Sequence, residues 1–304
     1  TAVFGGLRNF LGLRDNIRQT ALDYAQLRRL VANPALDLSS VAAQYPGATP
    51  RLDGARVGYA GISLGGIIGT VFAAIEPTVN PVFLDVPGGG LVNTLAVDSP
   101  YVGQTLALAA GAVYGFPRDA VIDRFHPLPN LIQGILDGGD PTSYAADVTA
   151  ATDGHDVYMT MVEWDDVVPN RSNELLARAM KLAVLQPSPR MPGGFTTVAA
   201  PARGNASGRT QVLLMQSPAG HGDNLAQRYN RVEWQPPFPR DGTMGAMFVA
   251  AAHPFVVRQP VVAFQRSMVR FFTTAWAGAG MATADATGME PLLDYDDDGW
   301  TDDE

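Results

Sequence analysis

A mixed α/β fold on a mostly parallel sheet is predicted by three observations. An apolar segment, a Gly-rich turn, an apolar helix and a second apolar segment follow one another over residues 55–86, the spacing of a β-α-β unit. Two more short apolar segments, 156–162 and 210–216, flank a stretch with helical periodicity. The 304 residues, 46% apolar and 17% charged, are also enough to bury a large core.

The elements follow in order. Residues 13–31 read as an amphipathic helix, with Ile17, Ala21, Tyr24, Leu27 and Val31 at three- and four-residue steps, and Asn33-Pro34 stops it. A loop with Pro46, Gly47, Pro50, Asp53 and Gly54 leads to a strand at 55–60, which runs into Gly61-Ile62-Ser63-Leu64-Gly65-Gly66. A buried helix follows and ends before Pro77. A second strand at 81–86 stops at Gly88-Gly89-Gly90. Residues 91–152 are helical and loop-rich, which marks an insertion. A strand at 156–162, a helix at 172–183, a Gly/Pro-rich connection at 186–209, a strand at 210–216 and an amphipathic helix at 259–274 complete the pattern. Residues 275–288, rich in Ala, Gly and Thr, read as a linker. The expected organisation is therefore core at 1–90, an inserted cap at 91–152, core again at 153–274, and linker and tail at 275–304.

Four parallel strands are expected, and the one at 55–60 is apolar on both faces as a central strand must be. It needs a neighbour on each side, so a second chain or a segment upstream of the first helix is expected to complete the sheet.

Composition narrows the function classes. The formal charge is −9, from 21 basic and 30 acidic residues, and seven of the acids lie in the last eleven residues, leaving −2 for the rest. A nearly neutral body with one lysine, Lys181, has no basic surface for nucleic acid. The absence of cysteine excludes disulfides, thiolate metal sites and a cysteine nucleophile. No apolar run reaches the roughly 18 residues of a membrane helix, so no transmembrane span is expected.

The chemistry centres on Gly61-Ile62-Ser63-Leu64-Gly65. A strand delivering the chain into a sharp turn, with small residues on either side of a serine and a helix directly after it, is the context in which this weak motif becomes specific. Ser63 would stand at the C-terminal edge of the sheet, with the helix N-terminus and the Leu64 N–H placed to stabilise an oxyanion. A serine hydroxyl needs a histidine to take its proton and a carboxylate to hold that histidine. Of the four histidines, His126 sits in the insertion and His155 precedes its strand on the wrong edge. His221 follows the 210–216 strand on the edge of Ser63, and His253 is the alternative base. The acid follows the 156–162 strand, where Glu163, Asp165 and Asp166 cluster. Asp165 is the expected acid and Asp166 the alternative. The order Ser63, Asp165, His221, each after a strand, is the order of the α/β-hydrolase fold.

Longer segments carry a resemblance. Asp15-Asn16-Ile17-Arg18-Gln19-Thr20, Tyr59-Ala60-Gly61-Ile62-Ser63-Leu64-Gly65-Gly66-Ile67, Val86-Pro87-Gly88-Gly89-Gly90, Ile132 to Asp137, Asp140 to Ala145, Asp165 to Asn170 and Ala219-Gly220-His221-Gly222 together resemble the bacterial virulence-factor lipases, which include outer-membrane lysophospholipases. The resemblance spans about residues 4–270. It implies an α/β-hydrolase fold with a cap over the site, Ser63 as nucleophile, Asp165 as acid and His221 as base. An apolar ester or lipid substrate and a secreted or cell-surface location follow from it. In that family N-terminal strands carry a further oxyanion donor, which is expected here from a second chain or a segment upstream of the first helix.

The tail is a separate module. Asp294, Asp296 and Asp298 alternate before Gly299, with Trp300 and Asp302 at the next ligand positions, a pattern resembling a D-x-D-x-D-G calcium loop. Ca2+ is therefore the expected ion at the tail, and no cofactor is expected for catalysis. Two functions fit: a serine ester hydrolase, or a non-catalytic surface or interaction protein that keeps the scaffold and binds calcium through its tail.

Overall fold

The structure, a computed structural model, describes residues 9–45, 47, 49–99, 102–103, 115, 117, 122–163, 165, 167–216, 221 and 259–284. The main sheet has six strands, β1 (Tyr59–Ile62), β2 (Val82–Asp85), β3 (Val157–Val162), β4 (Ala183–Gln186), β5 (Thr197–Ala199) and β7 (Gln211–Gln216). They lie in the order β1-β2-β3-β7-β4-β5, and every pair is parallel. The helices are α1 (Phe10–Val31), α2 (Ser39–Gln44), α3 (Leu64–Ile75), α4 (Pro127–Leu136), α5 (Ala145–Val148), α6 (Asn170–Ala179) and α7 (Gln259–Ala275).

This is a three-layer α/β architecture. On one face α3 and α6 cover the sheet, with Leu176, Ala177 and Met180 packed among Leu84, Met159, Met161 and Leu213. There α1 lies against α3 through Ile17, Ala21 and Ala25, which meet Ile68, Val71 and Phe72. On the other face Phe271 of α7 meets Tyr158 edge-on at 5.2 Å, and Tyr158 meets Phe83 in the same way at 5.2 Å. Strands β2, β3 and β7 are buried along their whole length, as two-sided coverage demands, and their residues are correspondingly apolar. The parallel sheet, the elbow between β1 and α3 and the crossover helices make this an α/β-hydrolase fold.

The described residues of the segment 91–152 include several helical turns. A π-helix at Leu91–Ala96 packs with α4 around Val92, Ala96, Ile132 and Leu136.

Several expectations change. The strand before Ser63 is Tyr59–Ile62 rather than 55–60, because pairing with β2 begins only at Tyr59. The helix expected to reach residue 183 ends at Ala179, and β4 follows almost at once. Among the described residues the sheet therefore has six strands rather than four, since β4 and β5 extend it beyond β7. Residues 275–284 are not a linker: β8 (Met281–Ala282) pairs antiparallel with β6 (Ala202–Arg203), and Ala282 is fully buried.

At the other flank β1 is the outermost strand among the described residues. Ala60 and Ile62 are exposed, Ile62 by 40%, although the strand is apolar.

Candidate active site

The parallel order β1-β2-β3-β7 brings four strand C-termini to one edge, and the predicted residues stand there. Ser63 follows β1 directly at φ 52°, ψ −116°, a conformation that a residue with a Cβ rarely adopts. Its N–H donates to the Asp85 carbonyl on β2 at 2.8 Å, and its own carbonyl accepts the first helical bond of α3, from Ile67 N–H at 3.0 Å. Ser63 is thus the N-cap of α3, where the helix dipole favours negative charge, and Leu64 is the first helical residue.

Close approach explains the small residues around it. A Cβ at Gly61 would lie 2.6 Å from the backbone of Gly65, so strand and helix could not meet at this angle with any other residue. Gly65 itself has room. Its carbonyl accepts the Tyr59 hydroxyl at 2.6 Å, while the Tyr59 ring fills the space beside Gly69. Burial of that hydroxyl pushes its pKa well above the ordinary phenol range, so Tyr59 is a permanent donor that pins the first turn.

Asp165 lies three residues beyond β3 and is 6% exposed. Its Oδ1 accepts the Val167 and Val168 N–H groups at 2.9 and 2.8 Å, which folds the turn around the carboxylate. His221 lies five residues beyond β7, the strand next to β3, and its Nδ1 is 2.9 Å from Asp165 Oδ1 and 2.7 Å from Oδ2. Both side chains are almost completely buried. With Nδ1–H donating to the carboxylate, Nε2 becomes the basic nitrogen of the imidazole. The structure thus joins two of the three expected residues by a direct bond, and it places the third at the same sheet edge, on β1, with β2 between.

The connection after β2 separates the serine from the acid and is held on both sides. Ser172 Oγ donates to the Gly89 carbonyl at 2.7 Å, and Asn173 Nδ2 to the Pro87 carbonyl at 2.7 Å. Asp140, fully buried, accepts the Gly90 and Leu91 N–H groups at 3.3 and 2.7 Å and the Gln133 amide at 2.9 Å. This ties the insertion to the site. Ile67, Leu95 and Val168, with Leu91, Val102 and Val167 against them, form an apolar wall shared by α3, the insertion and the acid turn.

The remaining candidates lie elsewhere. His155 is at the opposite sheet edge, with its ring nitrogens 2.7 Å from the Val79 carbonyl and 2.9 Å from the Ala73 carbonyl. His126 caps α4 by accepting the Leu128 N–H at 3.1 Å. The alternative base His253, the alternative acid Asp166 and the tail residues Asp294, Asp296, Asp298, Trp300 and Asp302 lie outside the described residues. Among the described residues no group of three or more acids or histidines is arranged to hold a metal, and no helix is long and apolar enough to cross a membrane.

Sequence reasoning missed Asn170, Asn173 and Arg190 as supports of the site. Asn170 Nδ2 donates to the Val162 carbonyl at 2.6 Å and closes the acid turn, and Arg190 binds Glu163 at the start of the same turn. Asn170 was within reach, since an asparagine after Val-Val-Pro at a helix start is a turn signal. Arg190 has no local signal, because its acidic partners are 16 and 27 residues away.

No family model matches the chain, and no curated protein matches it. Solved structures do. Acetyl xylan esterase 1 from a Thermoanaerobacterium species is 19% identical, with 73% of this chain and 52% of that one covered at a TM-score of 0.39. An acylaminoacyl peptidase from Pyrococcus horikoshii is 15% identical, with 65% and 26% covered at 0.34. A bacterial membrane phospholipase A, described as a virulence factor, is 13% identical, with 79% and 61% covered at 0.31. The chain spans about half the length of the first of these proteins and about a quarter of the second.

Proposed function

We propose that the chain is a serine ester hydrolase of the lipase and esterase type, with Ser63 as nucleophile, His221 as base and Asp165 as the acid that orients it. The single observation that carries the reading is the buried Asp165–His221 pair, 2.7 Å apart, at the sheet edge where Ser63 occupies a positive-φ elbow. His221 Nε2 would take the Ser63 hydroxyl proton as Oγ bonds to the ester carbonyl carbon. The negative oxygen of the tetrahedral intermediate would face the Leu64 N–H and the α3 N-terminus. His221 then returns the proton to the departing alkoxide, leaving an acyl-enzyme that water hydrolyses by the same sequence.

An apolar acyl group is inferred from the resemblance to the virulence-factor lipases. A second oxyanion donor is assigned to a polypeptide segment pairing along β1, a reading supported by the exposure of Ala60 and Ile62.

A fluorophosphonate that traps activated serines tests the proposal. The chain should be labelled at Ser63. Ser63→Ala and His221→Ala should each abolish labelling and lower ester turnover about 10⁴-fold, with no further loss in the double variant. Equal labelling of Ser63→Ala and the parent would refute Ser63 as nucleophile, and a parent that is not labelled would favour the non-catalytic reading.

A further inference from the structure

We propose that Arg190, on the connection between β4 and β5, is a positioning residue that locks the acid turn beneath His221. The proposal rests on the reading of Asp165 and His221 as acid and base.

The sheet continues past the histidine strand β7 into β4 and β5. The connection at 187–196 leaves the C-terminal end of β4, and so emerges on the same edge as the acid turn. From it the Arg190 guanidinium reaches two carboxylates: Nε lies 2.7 Å from Glu163 Oε1, and Nη2 lies 2.7 Å from Glu174 Oε1. Glu163 is the first residue after β3 and stands two before Asp165, whereas Glu174 is on α6, the helix that ends the turn. One planar cation thus spans the turn from its start to the helix beyond it.

The clamp is itself anchored. Arg178 pairs with Glu174 at 3.2 Å, donates to the Gly193 carbonyl, and lies 4.4 Å from the centre of the Phe195 ring, so the connection is fastened to α6 beyond Arg190 as well. Glu163 N–H meanwhile donates to the Gln216 carbonyl at the end of β7, the strand that delivers His221. Glu163 is therefore the point where acid strand, base strand and the β4–β5 connection meet.

Isolated ion pairs at a protein surface contribute little to stability. This one bridges two acids that are 13% and 17% exposed, with a rigid fork that fixes direction as well as distance. Its effect should appear in geometry, because a catalytic constellation tolerates about 0.5 Å of displacement. An ordinary stabilising contact would leave the Asp165–His221 bond unaltered in the molecules that remain folded.

Arg190→Gln, Arg190→Lys and Glu163→Gln in the full chain separate these cases. The readout is the far-downfield proton resonance of His221 Nδ1–H, assigned by its absence in His221→Gln. It is measured together with kcat and KM on a short-chain p-nitrophenyl ester. Arg190→Gln should broaden or shift the resonance upfield and lower kcat about tenfold with KM within about twofold. Arg190→Lys should recover only part of either, since a point charge cannot bridge both acids. Circular dichroism shows which variants fold, and Glu163→Gln gives the same reading if Arg190→Gln does not.

Parent-like resonance and kcat in Arg190→Gln overturn the proposal, as does a parent with no such resonance. A parent without ester turnover whose resonance still depends on Arg190 would overturn the hydrolase reading and leave the clamp standing.

Discussion

Strand β3 is flanked by a buried aspartate at each end, and the two have different partners. Asp156, just before the strand, is fully buried. Its Oδ1 accepts the Thr210 and Gly280 N–H groups at 2.8 and 3.0 Å, and its Oδ2 accepts the Asn80 amide at 2.9 Å and Arg209 at 3.4 Å. Three distant chain segments converge on one carboxylate, through two backbone N–H groups, an amide and a guanidinium. Asp165, beyond the other end, spends one oxygen partly on its own turn and faces an imidazole with both.

The histidines differ in the same way. His155 faces backbone carbonyls, and burial pushes its pKa below the ordinary 6.5. His221 faces the Asp165 carboxylate, with Nδ1 2.7 Å from Oδ2. A buried acid with only fixed donors fastens the fold. The acid that faces an imidazole is the one proposed to support chemistry.

The contrast can be broken most sharply by the same substitution at both ends. Asp165→Asn should lower ester turnover about 10⁴-fold with little change in the urea midpoint. Asp156→Asn should do the reverse, because an amide cannot accept at both of its ends and strands a buried donor at a cost of about 1–3 kcal/mol, while turnover per folded molecule stays near the parent value. Loss of turnover in Asp156→Asn at unchanged stability would end the distinction.

A smaller effect concerns pH. The native chain holds His155 neutral where the unfolded chain takes up a proton, so this residue lowers stability as pH falls through 6.5 and has no such effect well above it. The slope it contributes is at most about 1.4 kcal/mol per pH unit. Urea midpoints at pH 8, 6 and 5 should therefore fall less steeply in His155→Gln than in the parent, and parallel curves would contradict the assignment.

What could be read in the sequence follows from how local each signal is. The serine elbow was legible because Gly61, Ser63 and Gly65 fall within five consecutive residues flanked by apolar runs. That Asp165 and His221 stand at one sheet edge was legible because each follows an apolar run that matches a buried strand closely. The missed strands are of another kind. Ala183–Gln186 begins four residues after α6 ends, so the run Leu175-Leu176-Ala177-Arg178-Ala179-Met180-Lys181-Leu182-Ala183 reads as one helix; Lys181 at φ 57° turns the chain without a glycine to announce it. The three residues of β5 lie between Pro and Gly residues and owe their conformation to pairing with β4. The Arg190 clamp was invisible because folding alone brings its three members together.

The elbow that places the Ser63 hydroxyl also sets a limit on how robust the molecule can be. At φ 52°, ψ −116° a side-chain-bearing residue carries backbone strain on the order of 1–3 kcal/mol, offset in a glycine variant by about 0.5–1 kcal/mol of extra freedom when unfolded. Ser63→Gly should thus raise the urea midpoint slightly while removing the nucleophile, and a lowered midpoint would show the strain to be absent. The sturdier version of this protein would be an inert one, so the residue proposed to carry the reaction occupies a position where stability and reactivity pull in opposite directions.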